Sequence, residues 1–155
     1  IFGDVKVQSA AEVKENWEKI KLTEGNKSVL SGVPNSLPAM VKSYRIQEKA
    51  RGVGFDWENS NQVWDKVMEE LQEFKTEVDL KSDRMEDEFG DLMFALINYA
   101  RFIEVNPEDA LEKTNRTFIQ RFKHIENRAH ELGKSIADMK LSEMEIYWQE
   151  AKKLK

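Results

Sequence analysis

The sequence contains no cysteine, which excludes disulfide bonds and thiol catalysis and fits a reducing compartment such as the cytoplasm. Its formal net charge of −5 argues against the broad positive field that binds nucleic-acid polymers non-specifically. No apolar run approaches the roughly 20 residues needed to cross a bilayer, and no signal peptide is visible. We therefore expect a cytoplasmic protein that binds neither membranes nor nucleic-acid polymers.

Glycine and proline are scarce, with 7 and 3 copies in 155 residues, and they fall in a few clusters. The segments between these clusters have a helical period, and only residues 1–7 suggest a strand. We therefore predict an all-α helical bundle. Its helices are expected at residues 10–22, 36–51, 63–80, 84–104, 107–132 and 141–154.

Two segments far apart in the chain share a spacing pattern. Residues 11–21 and 142–152 each contain Glu, an apolar residue, Trp and Lys at the same intervals. The chain also begins with Ile1 rather than Met. We expect residues 1–31 to be the tail of a preceding, related domain, and residues 32–155 to form one domain of their own.

The first of two acidic clusters lies at residues 69–73, inside a helix with an apolar stripe. The stripe contains Val63, Val67, Leu71, Phe74 and Val78. At about 100° per residue, Glu70 falls at one edge of the stripe, with Glu73 one step further round. Glu69 points away from the stripe, so Glu70 and Glu73 form the inner pair.

The second acidic cluster lies at residues 88–91 of the next predicted helix. The expected buried face of that helix contains Met85, Phe89, Leu92, Met93, Leu96, Ala100 and Ile103. Glu88 lies within this face and Asp91 lies at its margin, whereas Asp87 projects to the opposite side. A carboxylate on an apolar face needs a specific partner.

The two acidic pairs are expected to converge. A short connection around residues 78–83 predicts an antiparallel hairpin, on which pairs spaced i, i+3 can point at one centre. Four convergent carboxylates repel each other unless a cation lies among them, and oxygen ligands favour Mg²⁺ or Mn²⁺. Because 34% of the residues are charged, one such cluster alone would more often be ordinary surface. Two clusters on facing helices favour a metal site.

Other candidate features give weaker signals. Lys42, Arg45 and Lys49 form a basic stripe on one helix. A loop with two glycines at residues 52–57 is a weak phosphate-binding signal, because no strand precedes it. His124 and His130 share no face with other ligand types, so we interpret both as ordinary surface or interface histidines.

Taken together, these motifs resemble the catalytic C-terminal half of the MazG family of all-α nucleoside triphosphate pyrophosphohydrolases. The resemblance covers residues 32–152. Its motifs are Gly32-Val33-Pro34, residues 44–50, residues 53–57, the two acidic clusters, residues 115–122 and Trp148. It implies Mg²⁺-dependent cleavage of nucleoside triphosphates to nucleoside monophosphate and pyrophosphate.

The resemblance also implies roles for individual residues. The metal ligands would be Glu70, Glu73, Glu88 and Asp91. The substrate contacts would come from Lys49, Lys66, Arg84, Asp91, Arg121 and Trp148. Lys66 could instead form a simple i, i+4 ion pair with Glu70, Arg84 could be a surface charge, and Trp148 could belong to the core. Thr117 departs from the family, which commonly has Lys there, and this change could weaken phosphate binding.

The expected reaction is metal-assisted hydrolysis of the α–β phosphoanhydride, with Glu70 or Glu73 as general base. Stacking of the base on Trp148, Phe55 or Trp57 predicts broad base specificity. The alternatives are a dUTP- or dCTP-specific pyrophosphatase, a phosphoribosyl-ATP pyrophosphatase, and a helical dimerisation module without activity. Because one subunit of this size cannot bury all the apolar stripes, we predict a homodimer.

Overall fold

The computed structural model describes residues 28–154, which form five α-helices and two short 3-10 turns without any strand. The helices are α1 (Ala39–Arg51), α2 (Ser60–Leu80), α3 (Met85–Phe102), α4 (Pro107–Glu131) and α5 (Leu141–Lys153). This confirms the all-α prediction for that part of the chain. The predicted helix at residues 10–22 and the possible strand at residues 1–7 lie outside the described residues.

The ends of α2 and α3 are set by local hydrogen bonds. Asn59 caps α2, because its Oδ1 accepts from the backbone amides of Asn61 and Gln62 at 3.0 and 3.1 Å. The helix ends at Leu80 and is followed by Lys81, whose φ of 51° lies in the left-handed region. Ser82 Oγ then accepts from the Arg84 amide at 3.1 Å, just before α3 begins. The connection is therefore as short as a hairpin requires.

Helices α2 and α3 pack together as an antiparallel hairpin. The Trp64 and Tyr99 rings lie 4.9 Å apart, and the Phe74 and Phe89 rings lie 5.4 Å apart. The start of one helix therefore meets the end of the other. Between these ring pairs, the core contains Val67, Leu92 and Ala95. The predicted antiparallel acidic hairpin is confirmed.

The buried face of α3 is rotated from the one that the apolar pattern predicts. Glu88, Leu92 and Ala95 are buried against α2. Four large apolar residues of the predicted face are instead 37–49% exposed, namely Met85, Phe89, Leu96 and Ile103. The prediction of that face was right for Glu88 and Leu92, which are buried, and wrong for these four residues. Much of the apolar surface of the hairpin is left open to solvent.

Helix α1 packs on α3. The Gln47 side chain is buried, and its Nε2 donates to the Phe94 carbonyl at 2.9 Å. The 3-10 turn Val29–Gly32 contacts α1 in turn. The loop from Gly52 to Asn59 connects α1 to α2.

The chain divides at Pro107 into two compact units, and α4 and α5 belong to the second. Their core contains Ile125, Ala129 and Met139, with Trp148 packed against it. Gly133 has a φ of 65°, which suits the left-handed turn that ends α4. No helix among residues 28–154 combines the length and the apolarity needed to span a membrane.

Candidate active site

Carboxylates from α2 and α3 meet in the middle of the hairpin. Oxygen atoms of Glu70, Glu88 and Asp91 all lie within 4.8 Å of one another. Glu70 is 6% exposed and Glu88 is 3% exposed, whereas Asp91 is open to solvent. The buried Glu70 Oε2 has no hydrogen-bond partner among the described residues. A buried carboxylate oxygen without a donor fits the ligand set of a hard divalent cation.

Glu73 belongs to a second, overlapping group on α2. Oxygen atoms of Glu69, Glu70 and Glu73 also lie within 4.8 Å of one another, so Glu70 is shared by both groups. Glu69 is exposed, as its outer position predicts, and Glu73 is exposed as well, although it was expected to form the inner pair with Glu70. The four predicted metal ligands therefore lie in two groups joined through Glu70.

The electrostatics of Glu88 reflect this crowding. Burial raises the pKa of Glu88, the guanidinium of Arg84 opposes that shift, and Glu73, Asp91 and Glu70 raise the pKa further. The carboxylate is thus held in a place that disfavours its charge. A cation bound to these oxygens would reverse that preference.

Lys66 neutralises part of the acidic cluster. Its Nζ lies 2.6 Å from Glu69 Oε1 and 2.6 Å from Glu70 Oε1. The hydrogen bonds to Glu69 and then Glu70 raise the pKa of Lys66, which therefore stays protonated. The predicted i, i+4 ion pair is present, and the substrate contact stays a prediction.

Two further predicted cations lie in the same unit. Arg84 forms an ion pair with the buried Glu88, but its own side chain is 68% exposed. Lys49 on α1 lies against the 3-10 turn, since a Cβ added to Gly32 would be 3.3 Å from Lys49 Nζ. Both therefore lie in the unit that contains the carboxylates.

The predicted contacts Arg121 and Trp148 belong to the second unit. The Arg121 guanidinium lies 5.5 Å from the centre of the Trp148 ring, and the Phe118 and Trp148 rings are 5.2 Å apart. Trp148 is half-buried against the core of this unit. Its packing gives weight to a structural role, and its substrate role stays a prediction.

Thr117 and the histidines were also singled out in the sequence. Thr117 Oγ1 donates to the Lys113 carbonyl at 2.9 Å, so its hydroxyl serves its own helix. His124 Nε2 lies 3.3 Å from Glu150, and His130 is exposed. Neither histidine belongs to a candidate metal group in the described part of the chain.

A cavity of about 630 Å³ adjoins the carboxylates. Lys66, Glu70 and Asp91 lie in its wall, so the acidic cluster and the cavity share one boundary. The remaining wall consists of Leu30, Ile46, Gln47, Ala50, Gly54, Phe55, Asp56, Trp57, Phe94, Ala95, Asn98 and Arg101. A mainly apolar cavity with a charged edge suits a ligand with one flat apolar end and one charged end.

Sequence reasoning named Phe55 and Trp57, which line this cavity, but missed a buried network beside them. Arg101 is buried and donates to both carboxylate oxygens of Asp56, with its Nη1 2.9 Å from Oδ2. Asn98 Oδ1 accepts from Arg101 as well, at 2.7 Å from Nη2. This network ties the loop between α1 and α2 to α3. Arg101 lies late in an apolar helix, and this position could have indicated a buried ion pair, because a buried cation needs a partner of opposite charge.

Gln47 was also missed. It follows Tyr44 by three residues and precedes Ala50 by three, so it interrupts the apolar side of α1. A polar residue at such a position is a signal for either a structural hydrogen bond or a ligand contact.

Fold and site together define an all-helical protein in which carboxylates from two antiparallel helices border an apolar cavity. Residues 58–126 match the family described as the MazG nucleotide pyrophosphohydrolase domain. The chain belongs to the MazG family. This confirms the family resemblance that the sequence motifs carry.

Three curated proteins show the extent of the similarity. The chain is 39% identical over 155 residues to "Nucleoside triphosphate pyrophosphohydrolase/pyrophosphatase MazG" of Thermotoga maritima, covering 98% of this chain and 58% of that protein. It is 36% identical over 160 residues to "Nucleoside triphosphate pyrophosphohydrolase" of Escherichia coli K12, covering 99% and 61%. It is 47% identical over 162 residues to "Uncharacterized protein YabN" of Bacillus subtilis, covering 98% and 32%. The chain thus spans less than two thirds of each relative.

Proposed function

We propose that the protein hydrolyses nucleoside triphosphates to nucleoside monophosphate and pyrophosphate, with Mg²⁺ as its cofactor. The observation that carries this proposal is the carboxylate cluster of Glu70, Glu88 and Asp91 at the edge of the cavity. The names of the Thermotoga and Escherichia relatives support the same reaction. A triphosphate at the acidic edge would leave its nucleoside facing the apolar wall.

The two overlapping carboxylate groups suggest a division of roles. Glu70, Glu88 and Asp91 would hold the metal, which would neutralise phosphate charge and acidify a water. Glu73 lies outside that group but within 4.8 Å of Glu70, and its side chain is exposed, so it is the candidate to accept the proton of the attacking water. Water then adds at the α-phosphorus, the α–β bridging bond breaks, and pyrophosphate leaves.

The cations of the first unit would stabilise the departing pyrophosphate. Arg84 has an exposed guanidinium and Lys66 lies in the cavity wall, so both can reach an anion at the acidic edge. Lys49 joins them in this proposal on the basis of the family motif. Arg121 is proposed on the same basis, and Trp148 as a stacking residue.

We also propose that the protein acts as a homodimer. The exposed apolar side chains of α2 and α3 support this, because α2 leaves Trp64, Met68 and Leu71 more than 40% exposed. Exposed apolar surface on this scale marks an interaction surface in many proteins. A partner subunit on this hairpin would bring further groups near the site.

The activity is tested by incubating the protein with Mg²⁺ and a panel of nucleoside and deoxynucleoside triphosphates. We expect pyrophosphate and monophosphate from several of them, measured by a coupled pyrophosphate assay and by chromatography. Phosphate as the only released anion would contradict cleavage at the α–β bond. No product from any nucleotide, with folded protein, would refute the proposal.

The site is tested by Glu73→Ala, with Asp87→Ala as the matched control. Glu73 lies in the acidic cluster, whereas Asp87 is an exposed carboxylate on α3 outside both candidate metal groups. We expect Glu73→Ala to reduce kcat by at least about a hundredfold, in the range of a lost general base. Asp87→Ala should keep the parental rate and both variants should keep their helical circular dichroism. Equal activity of the two variants would place the reaction elsewhere.

A further inference from the structure

Gln47 presents an unused acceptor at the cavity. The side chain is 6% exposed and lies in the cavity wall. Its Oε1 is buried and has no hydrogen-bond partner among the described residues. A buried acceptor without a donor destabilises a protein, so a ligand that supplies the donor recovers that free energy.

The orientation of the amide is fixed. Gln47 Nε2 donates to the Phe94 carbonyl at 2.9 Å, and a flipped amide would place two oxygens against each other. Oε1 is therefore the atom left without a donor, and it can only accept a hydrogen bond.

The cavity wall combines groups that favour different parts of a nucleotide. Lys66, Glu70 and Asp91 contribute charge, and phosphates and a metal would lie beside them. Gln47 lines the same cavity, together with apolar and aromatic side chains such as Phe94 and Trp57. A carbonyl oxygen repels phosphate oxygens, whereas apolar walls and aromatic rings suit a planar base.

We propose that Gln47 is a specificity-determining residue that accepts a hydrogen bond from the exocyclic amino group of the base. This rests on the proposed function only in taking a nucleotide as the ligand. Adenine and cytosine carry an amino group where hypoxanthine and uracil carry a keto oxygen. With the keto base, two acceptors face each other and Gln47 Oε1 stays unsatisfied. The site thus favours amino-bearing bases over their keto counterparts.

The kinetic test compares ATP with ITP and CTP with UTP. We expect kcat/KM to be roughly tenfold higher for the amino base in each pair, in line with the loss caused by one unpaired buried acceptor. Gln47→Met keeps the length of the side chain without polar atoms, and both ratios should then fall to about one. Gln72→Met, on an exposed part of α2 outside the cavity wall, should keep the parental ratios. Parental ratios near one, or ratios that Gln47→Met leaves unchanged, would overturn the proposal.

A binding measurement separates this proposal from the proposed reaction. Calorimetric titration with AMP, IMP, CMP and UMP requires no hydrolysis, and the parental protein should bind the amino base of each pair roughly tenfold more tightly. Preference in binding without hydrolysis of any triphosphate would sink the proposed function and keep the role of Gln47. Hydrolysis of the triphosphates with equal binding of all four monophosphates would keep the proposed function and overturn the role of Gln47. Because the parental protein alone decides this comparison, it holds even if Gln47→Met fails to fold.

Discussion

Glu88 illustrates at the scale of one residue how a binding site opposes stability. Burial and three neighbouring carboxylates disfavour its charge, and the Arg84 partner that offsets them is largely exposed. A screened, exposed partner contributes little to stability. We therefore interpret Glu88 as a ligand kept for binding, at some loss of stability in the metal-free protein.

Glu88→Gln should raise the melting temperature of the metal-free protein by a few degrees at neutral pH. The folded-state pKa of Glu88 lies above its unfolded value, so this carboxyl favours folding below the unfolded pKa. That contribution is lost as the pH rises through the folded pKa. The difference in melting temperature between variant and parent should therefore grow from about pH 4 to about pH 7. Thermal unfolding by circular dichroism measures it.

Glu86→Gln is the matched control, since Glu86 is an exposed carboxylate in the first turn of the same helix. It should not reproduce the pH-dependent difference. Addition of Mg²⁺ should stabilise the parent and the control but not Glu88→Gln, because only the last has lost a ligand. A Glu88→Gln protein that is less stable than the parent at neutral pH would contradict this interpretation.

At the scale of single residues, the sequence predicted those properties that follow from the angular position of a residue on its helix. Glu70 and Glu88 point inward as expected, because their angular positions follow from the chain alone. Gln47 and Arg101 escaped notice because their partners are distant in sequence, 47 and 45 residues away. The angular position on a helix shows that a polar residue faces the interior, but only the folded structure shows its hydrogen-bond partner.

At the scale of elements, an ion-pair network ties the loop between α1 and α2 to α3. Asp56 accepts from the buried Arg101, whose side chain is 5% exposed, and Arg51 Nε lies 3.8 Å from the same carboxylate. The loop carries Phe55 and Trp57 into the cavity wall. Arg101 is thus a positioning residue for the aromatic side of the cavity.

Asp56→Asn should therefore affect both stability and substrate binding. Arg101 would lose the charge that compensates its burial, which should lower the free energy of unfolding by about 2 kcal/mol. Because the loop would be less firmly held, KM for the nucleotide should rise more than kcat falls. Chemical denaturation and steady-state kinetics measure the two effects.

Asp65→Asn removes the same charge from an exposed position of α2 and serves as control. It should change neither the unfolding free energy nor KM. If Asp56→Asn lowers kcat alone, the loop has a role in the chemical step that differs from the one described here.

The elements themselves were largely predictable, because caps and glycines mark their ends. The left-handed Gly133 after α4 is one such mark. The start of α2 was placed three residues late, since the Asn59 cap precedes the apolar stripe used to find the helix. The buried face of α3 was predicted only in part, because Glu88 and Leu92 are buried as expected whereas Met85, Leu96 and Ile103 stay exposed.

At the scale of the whole molecule, the exposed apolar residues of the hairpin predict self-association. Multi-angle light scattering should give the mass of a dimer at micromolar concentration. Met68 is 49% exposed on α2, and Met68→Lys should shift the protein towards the monomer because a charge would be buried in the interface.

Asp87→Lys introduces the same group on the opposite side of α3 from Phe89, and the variant should remain a dimer. A monomeric parent protein would refute the dimer outright.

Sequence alone predicted that the apolar stripes exceed the area that one subunit can bury, but it could not predict which helix face stays exposed. That depends on the rotation of α3, which the packing of Glu88 and Leu92 decides.

Lys66 gives the acidic cluster a resident counter-ion. Because the pKa of Lys66 is raised and its ammonium stays charged, a divalent cation held by Glu70 would replace one cationic partner of this carboxylate by another. Such an exchange of cations would keep the change in net charge at the cluster small. The carboxylates could then keep their positions before and after the metal binds. Lys66 also lies in the cavity wall, where its flexible stem keeps the displaced ammonium close to the phosphates. Loading of the cation and capture of the nucleotide are therefore expected to be cooperative, with Lys66 passing from the first partner to the second.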